Sequence, residues 1–84
     1  MTSDELQASL QASAPFLSAE EWGTFLTSTP EDQETISQGF ALARVPPSVD
    51  VLRTALDILQ AADGFIPLPG IGPGITVLRK LIGE

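Results

Sequence analysis

The chain has 84 residues, with no cysteine, histidine or tyrosine, and a formal net charge of −7 from eleven carboxylates against Arg44, Arg53, Arg79 and Lys80. That length excludes two domains, the missing cysteine excludes disulfides and thiolate metal sites, and the charge opposes phosphate backbones and anionic lipid. The apolar fraction of 43% is that of a globular chain rather than a disordered one.

Helix signals recur along the chain and strand signals do not. The expected fold is therefore all-α, a small four- to five-helix bundle in one domain, 1–84. Its parts are a helical core over 1–64, then a Pro/Gly-rich strap and a C-terminal amphipathic helix over 65–84. Thr2 and Glu5 have capping-box spacing, and the repeat Leu6-Gln7-Ala8-Ser9, Leu10-Gln11-Ala12-Ser13 keeps Leu6, Leu10 and Ala14 near one face. Pro15 ends that helix. Ser18 opens the second, with Glu21 at N3, Leu17 and Trp22 spaced as a hydrophobic staple, and Trp22, Phe25 and Leu26 facing inward. Thr29-Pro30-Glu31-Asp32 opens the third: Thr29 caps, and Pro30 stands at N1, where an amide would have no helical partner. Ile36, Phe40 and Ala43 share a face with Leu42 beside them, and Gly39 either admits a neighbouring helix or is merely tolerated. Val45-Pro46-Pro47 stops the helix.

Ser48 caps a fourth helix over 48–62, the most amphipathic of the set and the one expected to be most buried. Val51, Leu52, Ala55, Leu56, Ile58, Leu59 and Ala62 cover about half its circumference. Asp50, Arg53 and Asp57 lie at ion-pair spacing on the other side, and Gly64 is placed to end the helix. The stretch 65–74 reads as irregular. A last short helix spans 75–82, with Ile75, Leu78, Leu81 and Ile82 on one face, and Gly83 ends it.

Catalysis finds little to work with. A Ser or Thr nucleophile lacks its imidazole, and the run Glu31-Asp32-Gln33-Glu34 has neither calcium-loop spacing nor its glycine. No enzyme activity, metal, cofactor or small-molecule substrate is expected. Eight carboxylates (Asp4, Glu5, Glu20, Glu21, Glu31, Asp32, Glu34 and Asp50) fall in or near the first turn of an expected helix, where they offset the helix dipole.

Pro69-Gly70-Ile71-Gly72, followed by a helix, resembles the hairpin of helix-hairpin-helix DNA-binding modules over about fifteen residues. The resemblance implies that hairpin amides and a helix N-terminus hold a backbone phosphate. The chain departs from that pattern: Ile66-Pro67-Leu68-Pro69 separates the preceding helix from the hairpin, Thr76 stands where the family has a small residue, and Arg79 where it has an apolar one. Ile75, Val77, Leu78, Leu81 and Ile82 with Arg79 and Lys80 also have the form of a small membrane anchor, but two cations give it little pull. Nucleic acid and membrane are thus disfavoured partners. The start, Met1 to Glu5, is acidic rather than basic and no apolar run follows it, so no signal peptide is read and the cytoplasm is the expected location.

A non-enzymatic protein–protein interaction or structural role remains. The chain is expected to self-associate or to dock on a larger assembly, such as a phage particle, through its apolar C-terminal segment. The residues expected to make the contact are Phe65, Ile66, Leu68, Ile71, Ile75, Leu78, Leu81 and Ile82. The alternative is a small acidic inhibitor or regulator that occupies a basic surface of a partner enzyme, using carboxylates instead.

Overall fold

The computed structural model describes residues 2–42 and 47–83, with 40–42 as backbone only. Within them the chain is all-helical: α1 (Ser3–Ser13), α2 (Ala19–Thr27), α3 (Pro30–Leu42), α4 (Val49–Ala62) and α5 (Ile71–Ile82), with no strand among the described residues.

The caps form where the sequence places them. Thr2 Oγ1 accepts from the Glu5 amide at 3.2 Å, Thr29 Oγ1 from Asp32 at 3.2 Å and Ser48 Oγ from Val51 at 3.2 Å. Ser18 and Glu21 make the full reciprocal box. Each cap supplies an acceptor to an amide that has none within its own helix, at about 1 kcal/mol apiece. Two helix ends use glycine in the left-handed region: Gly64 at φ 86° follows α4, and Gly83 at φ 95° closes α5. Both conformations penalise any side chain with a Cβ.

One core joins the helices. Leu6 and Leu10 of α1, Trp22, Phe25 and Leu26 of α2, Leu59 of α4 and Ile71 and Leu78 of α5 are 1% exposed or less. Trp22 sits at the centre of an aromatic group, edge-on to Phe16 at 5.0 Å and to Phe25 at 5.7 Å, and its indole N–H donates to the Ala14 carbonyl at 3.2 Å. That bond satisfies the polar edge of an otherwise apolar side chain. Helices α4 and α5 make the most extensive pairing. The burial expected to concentrate in the fourth helix is shared: Leu52, Ala55, Leu56, Leu59 and Ala62 are buried in α4, and Ile71, Gly74, Ile75, Val77 and Leu78 in α5.

One local expectation is corrected, and one alternative is decided. The last helix begins at Ile71 rather than at residue 75, because the Gly70 carbonyl accepts the Gly74 amide at 2.8 Å and starts the ladder. Pro73 does not obstruct this, since it falls in the first turn, where a missing N–H leaves nothing unpaired. Gly39 meets nothing within 4 Å of where a Cβ would stand, so no neighbouring helix requires it. The face expected from Phe40, Leu42 and Ala43 lies outside the described side chains. Instead Gln33 and Ser37 are buried on α3, with Ile36 half-buried.

Gly70 is the opposite of Gly39. Its amide donates to the Leu26 carbonyl at 2.7 Å, and its carbonyl also accepts from Gln33 Nε2 at 2.9 Å. A Cβ there would overlap the Leu26 carbonyl and crowd the Gln33 amide. Gly70→Ala is therefore expected to lower stability by about 1–3 kcal/mol. Gly39→Ala, in open space within a helix, should raise it by up to about 1 kcal/mol. Urea unfolding midpoints of the two variants give the comparison.

Candidate interaction surface

The strap between α4 and α5 is shaped by its own hydrogen bonds. After Gly64 turns the chain, the amides of Phe65 and Ile66 both donate to the Ala62 carbonyl, at 3.0 and 3.2 Å, and Leu68 N–H donates to the Ile66 carbonyl at 2.8 Å. Ile66 points inward and is 6% exposed. Pro67 and Pro69 are exposed, Leu68 is half-buried, and Gly70 anchors the strap against α2. Between the helix end and buried Ile66, Phe65 projects outward and is 85% exposed.

The eight residues singled out from sequence do not form one surface. Ile66, Ile71, Ile75 and Leu78 are buried in the monomer core. Leu68, Leu81 and Ile82 are half-buried and packed against it. Leu81 and Ile82 also lie at the far end of α5 from the strap, a separation of about 15 Å along a helix of this length. Phe65 stands out in solvent. The other large apolar side chain exposed among the described residues is Val49, at 48%, at the opposite end of α4.

Two of the hairpin amides, those of Gly70 and Ile71, are engaged within the chain, as is the Gly74 amide that follows. Gly70 donates to Leu26, Ile71 to Leu68 at 3.3 Å and Gly74 to Gly70. Arg79 and Lys80 lie in the last turn of α5, away from that hairpin, and Lys80 reaches Glu34 of α3 at 3.9 Å. Both partners of that pair are well exposed, so it adds little. All ten described carboxylates are exposed. Among the described residues no group of three or more His, Cys, Asp or Glu could hold a metal ion, and no helix is long and apolar enough to cross a membrane.

One concavity opens between α2, α3 and the loop before α2. It has a volume of about 200 Å³ and is lined among the described residues by Leu17, Glu21, Thr24 and Ile36. No signal in the sequence marked it, because its walls come from three separate segments. No family model matches the chain, and neither a curated protein nor a solved structure matches it.

The burial of α5 has a direct consequence. Truncation after Gly64 removes Ile66, Ile71, Ile75, Val77 and Leu78 from the core, each contributing about 1.5–3 kcal/mol. Together these are comparable to the whole stability of a chain this size, about 4–13 kcal/mol. The truncated chain is expected to be unfolded by far-UV circular dichroism. A cooperative thermal transition in that chain would show that the remaining helices form a core without α5.

Proposed function

We propose that this chain is a non-enzymatic interaction subunit that associates with itself or with a larger assembly through its C-terminal segment, with Phe65 as the anchor. One observation carries the reading: Phe65 is 85% exposed, the most exposed large apolar side chain among the described residues. An exposed Phe costs hydration free energy that only a partner can recover, about 1.5–3 kcal/mol on burial. Interfaces concentrate their affinity in a few such anchors. The turn presents it with little ordering left to do, because Gly64, buried Ile66 and the Gly70 anchor fix the backbone on both sides. The lack of His, Cys and Tyr in the sequence supports the non-enzymatic part of the reading.

The acidic regulator is the second reading. The exposure of all ten described carboxylates favours it, since each is available to a basic surface.

Replacement of Phe65 separates the two. Phe65→Ser is expected to leave the unfolding midpoint within about 0.5 kcal/mol of wild type, as for other exposed positions. It should abolish capture of partners by the immobilised protein in an extract of its native host. If capture survives Phe65→Ser but collapses on raising salt, the acidic reading replaces this one.

A further inference from the structure

Asp63 and Gly64 form the exposed joint between α4 and the strap. Asp63 is the one aspartate in the sequence that is followed by glycine, and the chain has no asparagine. The pairing has a chemical consequence. The amide nitrogen of the residue after an aspartate can attack the side-chain carboxyl carbon and close a five-membered ring. A side chain on that residue shields its nitrogen, and glycine has none. Other guards are missing here as well. The Gly64 N–H makes no hydrogen bond among the described residues, while the amides on either side do: Asp63 donates to the Leu59 carbonyl at 2.9 Å and Phe65 to the Ala62 carbonyl at 3.0 Å. No atom stands within 4 Å of where a Gly64 Cβ would be, so the approach to its nitrogen is open. Asp63 itself is exposed, and no hydrogen bond or ion pair holds its carboxylate among the described residues.

One feature of the fold opposes the reaction. Ring closure needs the Gly64 nitrogen to eclipse the Asp63 Cβ, and at the observed ψ of 129° it does not. The Asp63 Cα–C bond must rotate first. That rotation swings Gly64 and breaks the convergence of the Phe65 and Ile66 amides on the Ala62 carbonyl. The folded turn therefore holds the two reacting atoms apart, and the reaction waits on local opening.

We propose that Asp63–Gly64 is a site of spontaneous covalent modification, in which Asp63 isomerises to isoaspartate through a succinimide at a rate gated by opening of this turn. The Gly64 nitrogen bonds to Asp63 Cγ, and the carboxyl hydroxyl leaves with the amide proton as water. Solvent water then cleaves the bond between that nitrogen and the Asp63 main-chain carbonyl carbon. Gly64 stays joined to Cγ, the main-chain carbonyl becomes a free carboxylate, and the mass is unchanged. No oxidant, reductant or enzyme is needed. The product carries the Asp63 Cβ in its main chain, which lengthens the joint that aims Ile66 inward and Phe65 outward. The chemistry stands independently of the interaction reading.

The test is ageing of the full chain for several weeks at neutral pH, folded in buffer and unfolded in urea. Trypsin then releases the peptide 54–79, which holds both Asp57 and Asp63. Electron-transfer fragmentation distinguishes isoaspartate from aspartate at each. Asp57 is an internal control, because it lies within α4 and is followed by the branched Ile58. Isoaspartate is expected to accumulate at Asp63 and not at Asp57. It should form about tenfold faster in urea, the factor that an opening free energy of about 1.4 kcal/mol gives. Asp63→Glu, an exposed change that would have to close a six-membered ring, is expected to remain unmodified. Absence of isoaspartate at Asp63 in the folded chain overturns the proposal, as does equal accumulation at Asp57. Equal rates in buffer and in urea overturn the gating by the turn.

Discussion

The Gln33 side chain ties together parts of the chain that sequence keeps far apart. Its amide nitrogen donates to the Phe25 carbonyl at 2.8 Å and to the Gly70 carbonyl at 2.9 Å, while the Gly70 amide donates to the Leu26 carbonyl. Phe25 and Leu26 lie in the last turn of α2, where carbonyls have no amide ahead of them in their own helix. The Phe25 carbonyl accepts the Ser28 amide at 3.2 Å, and the structure adds donors from α3 and from the strap. In the same place it sets the Gly70 carbonyl where the Gly74 amide can begin α5. One buried amide thus fixes the end of one helix, the start of another and the path between them. The orientation of the amide follows from its neighbours, since exchanging its oxygen and nitrogen would aim an acceptor at two carbonyls. The oxygen it leaves over, Oε1, is buried with no hydrogen-bond partner among the described residues.

That arrangement also explains what was legible in the sequence. Caps were, because the bond from Thr2, Ser18, Thr29 or Ser48 to an amide three residues on is local chemistry. The terminators Gly64 and Gly83 were legible for the same reason, and so was the inward face of α2. Gln33 was not: it reads as one polar residue in an acidic run, and its partners are eight and thirty-seven residues away. The start of α5 went with it, since Pro73 and three glycines argue locally against a helix that a tertiary hydrogen bond begins. Glycines divide along the same line. Gly70 is demanded by the Leu26 carbonyl and Gly74 by close approach of the Phe25 ring, while Gly39 faces open space, and spacing alone does not distinguish them.

The candidate surface follows from the size of the chain. A domain of about 84 residues buries only about 60–65% of the surface its unfolded chain exposes, so every large side chain is wanted inside. Trp22 and Phe25 go to the centre, with Phe16 against Trp22, and α5 lays Ile71, Ile75, Val77 and Leu78 into the same core. With the C-terminal segment used this way, four of the eight residues expected at an interface are interior. The competition between core and contact is settled residue by residue along the strap. Ile66 turns in, Leu68 is shared and Phe65 turns out.

The direction of Phe65 is set by backbone geometry rather than by the preference of its side chain. Gly64 at φ 86° reverses the chain, the Phe65 and Ile66 amides converge on the Ala62 carbonyl, and Gly70 is held on α2. With Ile66 committed to the core, the residue before it faces away from the core in this turn. Turning Phe65 inward would mean withdrawing Ile66 or releasing Gly70, and each is tied to buried structure. The exposed ring is therefore a consequence of how α4 is joined to α5. A smaller or polar residue would satisfy the same turn without the hydration cost. The side chain adds nothing that the monomer's turn requires, so its identity is left free by the fold at this position.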